Sequence, residues 1–202
     1  HRQRDAPARA PAVAHAADSF GKDGLDGANV GFGKAKLQPV AVIAADREKP
    51  DFTTILPALS KANPQAVLWI ASGDAVVDGV KGLRAAGSSA QVVTLSNNAS
   101  SGFIKQLGTA SSGVIVTQVF PSERSSAQPM VKEAMTLAKA KNQTELSPQM
   151  LEGFAAAKVM VEALRRAGPK PTRAKIVASL DGLRNFDLGG GLDINYSATD
   201  HS

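Results

Sequence analysis

Asn63-Pro-Gln-Ala-Val-Leu-Trp-Ile-Ala-Ser-Gly-Asp74 decides the fold. Asn63-Pro64 stops whatever helix precedes it, because proline has no N–H to continue the ladder and restricts the residue before it. Ala66 to Ile70 is then a continuous apolar run, the mark of a strand buried on both faces. Ser72-Gly73-Asp74 is a small polar loop, after which Val76, Val80 and Leu83 form the apolar stripe of a helix with Gly87 as its C′ residue. Working outward, the same cycle recurs. Upstream lie a strand at Pro39 to Ala44 and a helix capped by Asp51 that turns Phe52, Ile55 and Leu59 inward, with a kink expected at Pro57. Downstream lie a strand at Gln91 to Leu95, a Ser/Asn loop, a short helix at Phe103 to Leu107 and a strand at Val114 to Val119. Strands alternating with helices at this spacing imply an α/β fold with a parallel sheet and right-handed crossovers.

The flanks read differently. Phe20 to Lys36 has Leu25, Ala28 and Phe32 at helical spacing, but Gly24, Gly27, Gly31 and Gly33 each cost about 1 kcal/mol relative to Ala inside a helix, so this helix is expected to be weak. Residues 1 to 16, rich in Ala, Arg and Pro, show neither period and are expected to be irregular and outside the core. After Pro121, residues 127 to 140, 149 to 167 and 172 to 182 read as three helices. A turn at Gly189 to Gly191 leads into the alternating pattern of Leu192, Ile194 and Tyr196. Three regions follow: an irregular stretch (1–16), an α/β lobe (17–121) and a helical segment with a returning strand (122–202).

Composition removes whole classes of chemistry. The 202 residues contain no cysteine, which excludes disulfides, thiol catalysis and Cys-ligated metal or iron–sulfur centres. His1, His15 and His201 lack the close pairing of a joint metal site. The net charge of +5 is partly gathered in Arg2, Arg4 and Arg9, and one Trp and one Tyr standing apart offer no stacking platform for single-stranded nucleic acid. No apolar run approaches the roughly 20 residues that span a bilayer, and the stretch at His1 lacks the apolar core of a secretory signal. Neither nucleic acid nor membrane insertion is expected, and no cofactor or metal is called for.

Motifs of catalysis are also missing. Gly33-Lys34 and Gly21-Lys22 lack both the first glycine and the following hydroxyl of a phosphate loop. Glu152 and Glu162 share one helix without converging on a site, and read as solvated charges. No G-x-S-x-G elbow occurs. A non-enzymatic role is expected.

What remains is positional. In open α/β sheets, ligands sit outside the carboxyl ends of the strands. The loops expected there are small and polar: Asp18-Ser19, Asp46-Arg47-Glu48, Ser72-Gly73-Asp74 and Ser96-Asn97-Asn98. Each could serve only to cap a helix; their repetition favours a shared polar site.

Seven segments, in order, carry a family resemblance: Phe20-Gly-Lys-Asp-Gly24, Asp51-Phe52-Thr53, Asn63-Pro-Gln-Ala-Val67, Leu83-Arg-Ala-Ala-Gly87, Gly113-Val-Ile-Val-Thr-Gln-Val-Phe-Pro121, Leu151-Glu-Gly-Phe-Ala-Ala-Ala-Lys158 and Phe186-Asp-Leu-Gly-Gly-Gly191. The chain resembles type I periplasmic binding proteins, the leucine/isoleucine/valine-binding group serving ABC amino-acid importers. The resemblance implies a parallel-sheet sandwich lobe, mainly the C-terminal lobe, plus helices belonging to the other lobe. It implies an incomplete member, with the N-terminal lobe's sheet missing, the usual strand before Asp18 replaced by the unrelated stretch Pro11 to Ala17, and an end at His201-Ser202 short of the usual closing segment. By the same resemblance, the function is the substrate-binding component of an importer of branched-chain-like amino acids, periplasmic, with an amino acid or related small carboxylate as ligand and a transporter permease as partner. The matching ligand positions are Asp18, Ser72, Gly73, Asp74, Asn97 and Asn98. A ligand-sensing module of a receptor or regulator with the same fold is the alternative. Helices over 122–185 are expected to leave apolar surface uncovered.

Overall fold

The computed structural model describes residues 10–201. These residues part into two units between Thr117 and Gln118. In the first, β1 (Pro11–Ala16), β2 (Ala41–Ala45), β3 (Ala66–Ile70), β4 (Gln91–Thr94) and β5 (Val114–Val116) form one sheet in the order β2-β1-β3-β4-β5. Every neighbouring pair is parallel. The helices are α1 (Ser19–Ala35), α2 (Phe52–Ala62), α3 (Asp74–Ala85) and α4 (Ser101–Leu107). The alternation expected from the sequence is therefore the alternation found, in a doubly wound strand order whose direction of winding reverses between β1 and β3.

The stretch expected to be irregular and outside the core contains the central strand. Residues 1–9 lie outside the described residues, but Pro11–Ala16 pairs with β2 on one side and β3 on the other. Ala12, Val13, Ala14 and Ala16 are essentially inaccessible to solvent. The strand that the resemblance led us to regard as replaced, before Asp18, is thus present. Its Ala-rich composition hides it because a strand covered on both faces has no polar side to alternate with.

Successive strand residues point to opposite faces. Ala12, Ala14, Val67, Trp69 and Val92 belong to a core with Ile55 and Leu59 of α2, Val76, Val80 and Leu83 of α3, and Phe103 and Leu107 of α4. Asp51 caps α2 by accepting from the Thr53 N–H at 3.0 Å, and the helix continues through Pro57. Ile70 points the other way, beneath Gly24 of α1. On that face Val42, Val13, Leu68, Val93 and Ile115 stand in one row across the five strands. Val13 is sealed, while Val42 and Ile115 at the ends of the row are about half exposed.

α1 is a full 17-residue helix, not a weak one. Asp18 caps it, accepting the Gly21 N–H at 3.0 Å. Gly21 also sets how closely the helix approaches β1, since a Cβ there would sit 1.8 Å from the Ala16 carbonyl oxygen. Gly27, Gly31 and Gly33 face open space, so their cost is propensity alone. β5 is shorter than expected: its last ladder bond runs from Thr117 N–H to Thr94 O at 2.9 Å, β4 ends there, and Val119 is largely exposed.

The second unit contains α5 (Pro129–Lys139), α6 (Pro148–Ala167), α7 (Arg173–Asp181) and a short antiparallel pair, β6 (Phe186–Asp187) with β7 (Asp193–Ile194). Its core joins Met130, Val131 and Ala134 to Leu151, Ala155 and Leu188. α6 has an unusual distribution. Its exposed side carries Met150, Met160, Val161 and Leu164, whereas Lys158, Glu162, Arg165 and Arg166 make bonds within the unit. Lys158 Nζ donates to Glu133 Oε2 at 2.6 Å and to Leu188 O at 3.0 Å. Glu162, expected as a solvated charge, is instead buried to 9% exposure, accepting from Arg165 at 2.8 and 2.9 Å and from Arg166 at 2.6 Å.

Two tests follow from this packing. Gly21→Ala is expected to destabilise the first unit by about 1–3 kcal/mol through overpacking against backbone. Gly31→Ala, with space available, should stabilise it by roughly 0.5–1 kcal/mol. Chemical denaturation checks both, and equal effects would contradict the close-approach reading. In the second unit, the Arg165 and Arg166 guanidiniums lower the Glu162 carboxyl from 4.5 to about 2. A depressed carboxyl contributes stability above its unfolded value and loses it as pH falls through the folded one. The stability gap between wild type and Glu162→Gln is expected to be constant at neutral pH and to close between pH 4.5 and about 2; a gap independent of pH would contradict the ion-pair assignment.

Candidate functional site

The carboxyl ends of β1 to β4 bring four polar loops to one edge of the sheet, where strand order reverses between β1 and β3. Asp18 follows β1, Arg47 follows β2, Ser72, Gly73 and Asp74 follow β3, and Asn97 and Asn98 form a 3-10 turn after β4. All six residues expected at the site lie on this edge.

A continuous hydrogen-bond network connects most of them. Asp18 Oδ1 accepts from Gly21 N–H, and Oδ2 accepts from Arg47 Nε in an ion pair. Arg47 Nη1 donates to Ser72 Oγ at 3.3 Å, and Asn97 Nδ2 donates to the same hydroxyl at 3.1 Å. The Arg47 guanidinium also lies 5.0 Å from the centroid of the Phe20 ring, within the range of a cation–π contact. Arg47 first, and the Gly21 N–H second, hold the Asp18 carboxyl below its ordinary value, and Asp18 in turn raises that of Arg47. Both are ionised at neutral pH.

Asn98 has a different position from its neighbour. Only 3% exposed, it accepts the Gly73 N–H at 2.9 Å and donates to Ala71 O at 3.0 Å and to Thr94 Oγ1 at 2.9 Å. Thr94 Oγ1 donates onward to Trp69 O at 2.9 Å. This is a brace: one buried amide joins the loops after β3 and β4 and leaves few of its own groups for anything else. Gly73, at φ 55°, turns the chain through the left-handed region that side chains avoid. Asp74 accepts from Gln106 Nε2 at 3.4 Å. Beside this brace, Gly73, Asn97, Ser100, Phe103 and Gln106 surround a hollow of about 320 Å³.

Sequence reasoning placed Arg47 in one of the polar loops without singling it out among the site residues. Its role depends on the neighbouring strand delivering Asp18, a juxtaposition of residues 29 apart. A larger hollow of about 720 Å³ lies at the opposite edge of the sheet, beside Lys81, Arg84 and Gln91. There Arg84 is occupied with the carbonyls of Ser88, Ala90 and Ser112, so it reads as a clip on the segments that lead into β4 and β5. Among the described residues no cluster of potential metal ligands occurs, and no described helix is long and apolar enough to cross a membrane.

The sequence matches the family model described as periplasmic binding protein over residues 4–202. No curated protein matches it. Among solved structures it is similar to a substrate-binding periplasmic protein from Ralstonia solanacearum, at 31% identity and TM-score 0.77 over 93% of this chain and 54% of that one. A possible leucine/isoleucine/valine-binding protein from Rhodopirellula baltica SH 1 gives 22% identity and TM-score 0.83 over 95% and 53%. A fatty acid ABC transporter substrate-binding protein from Thermomonospora curvata gives 18% and 0.80 over 96% and 51%. The last two show the fold alone. The chain spans about half the length of each of these structures.

The brace and the rim separate experimentally. Asn98→Ala removes three bonds and leaves buried partners unsatisfied, each worth about 1–3 kcal/mol, so a loss of roughly 2–4 kcal/mol is expected in denaturant unfolding. Asn97→Ala, on the exposed rim, is expected to change stability by no more than about 0.5 kcal/mol. Comparable losses at both positions would contradict the division.

Proposed function

Since the chain belongs to the periplasmic binding protein family, we propose that it is the substrate-binding component of an ABC-type importer, taking a small carboxylated solute of the branched-chain amino-acid kind. The observation that carries this reading is the convergence of four polar loops, tied into one network, at the reversal point of a parallel sheet. In this reading Ser72, Gly73, Asp74 and Asn97 face the solute, Asp18 and Arg47 form the charged flank, and Asn98 holds the wall in shape. The protein works in the periplasm, delivers its solute to a membrane permease and performs no chemistry on it.

The physical role of each group follows from its chemistry. Hydroxyl and amide groups on rigid strand ends orient a solute through directional bonds. The wall is open, with Ser72, Gly73, Asp74 and Asn97 all exposed. A solute held there stays largely hydrated, and affinity of about millimolar is expected where enclosed pockets, which bury 70–90% of a ligand, bind far more tightly.

Leucine, isoleucine and valine, with octanoate for comparison, can be titrated into the isotope-labelled full chain and followed by amide chemical shifts. Saturable shifts at Ser72, Gly73, Asp74 and Asn97, with millimolar midpoints for the amino acids, are expected. Shifts confined to the hollow beside Lys81 and Arg84, or none with any of the four, would overturn the assignment.

A further inference from the structure

The carboxyl edge of the sheet contains a cation of its own. Asp18 uses both oxygens within the chain, Oδ1 on the Gly21 N–H and Oδ2 on Arg47 Nε. Asp46 is turned into its own loop, accepting the Glu48 and Lys49 N–H groups at 2.9 and 2.8 Å. Asp74 lies on the far side of the network, against Gln106. The carboxylate next to Ser72 is therefore already occupied by a guanidinium that three further features hold in place. These are the Phe20 ring beneath it, the Ser72 hydroxyl beside it, and, through that hydroxyl, the Asn97 amide.

We infer that Arg47 is a specificity-determining residue that occupies the cation position of this site, so that a ligand's ammonium group reaches Asp18 only by displacing the guanidinium. The inference rests on the reading of this edge as the solute site, and refines it by ligand charge: the undisturbed edge favours the carboxylate end of a solute over its amine end. A guanidinium fork fixed by a carboxylate, a hydroxyl and a ring is more pre-organised than a mobile ammonium, and an arriving amine must lose hydration to replace it. The pair is more than one-third exposed at both ends, so it contributes little to folding and can be removed without unfolding the sheet.

The probes are the two halves of leucine: 3-methylbutylammonium, which lacks the carboxylate, and 4-methylpentanoate, which lacks the ammonium. Each is titrated into wild type, Arg47→Gln, Arg47→Lys and the double variant Arg47→Gln/Asp18→Asn, and amide shifts of Asp18 (or Asn), Ser72 and Asn97 are read. Arg47→Gln is expected to bind 3-methylbutylammonium at least tenfold more tightly than wild type. Arg47→Lys, which restores a cation, is expected to stay near wild type, and the double variant to lose the gain. Equal amine affinity in wild type and Arg47→Gln, including no binding by either, overturns the inference, as does a gain that survives Asp18→Asn. The solute-site reading is scored on separate titrations: it fails if 4-methylpentanoate and leucine both leave the wild-type amides unmoved, whatever the amine does.

Discussion

The pairing of β1 on both its edges is the constraint from which the rest of the first unit follows. A strand at the centre of a parallel sheet has every backbone group engaged laterally and both faces available for packing. Alanines at 12, 14 and 16 keep its profile low, and Gly21 keeps the profile of α1 low where it passes the Ala16 carbonyl. Because β2 and β3 are added on opposite edges, the loops leaving β1 and β3 diverge to opposite faces, and an opening is left at their carboxyl ends. Asp18 stands where it does because β1 ends where it does. The polar network is therefore a product of strand order before it is a product of particular polar residues.

This origin explains what could and could not be read in the sequence. Ala66 to Ile70 was legible because Val, Leu, Trp and Ile in succession fit no other element of that length. The helices α2 and α3 were legible from their stripes and from Asp51 and Gly87. Pro11–Ala16 was not, since Ala, Pro and His have poor strand propensity and only the neighbours on either side make a strand of them. α1 formed despite its glycines because Asp18 and the close contact at Gly21 supply what propensity lacks, while three of the glycines simply face solvent. At the site, the loop positions of Asp18, Ser72 and Asn97 were legible from general α/β geometry. Arg47 was less so, because its partner is 29 residues away and the loop Asp46-Arg47-Glu48 reads as a solvated turn. The division of labour between Asn97 and Asn98 was also hidden: adjacent residues of one type differ only in which way the 3-10 turn points them.

The second unit follows a different economy. Its core is small, built around Met130, Leu151 and Leu188, and α6 commits Lys158 and Glu162 to bonds within the unit while Met160, Val161 and Leu164 face out. Glu162 between two guanidiniums anchors the last turn of that helix, where cations also complement the exposed carbonyls of the helix end. Charge at this position consequently has a structural role, and nothing in the run Val161-Glu162-Ala163-Leu164-Arg165-Arg166 distinguishes a buried glutamate from a solvated one.

The register of β1 also has a temporal side. Pro11 pairs with Ala66 and Ala12 with Ala41, so the central strand finds its partners only after long stretches of chain have been made. During synthesis, an alanine-rich segment must wait for α1 and β2 to leave the ribosome before its first edge is paired and for α2 and β3 before its second, at about 5–20 residues per second. Contacts of such separation slow the search for the native arrangement. The compact alanine face of β1, so useful in the finished sheet, gives little hydrophobic hold to premature partners. The interval before its partners arrive thus carries less risk of collapse onto the wrong neighbour.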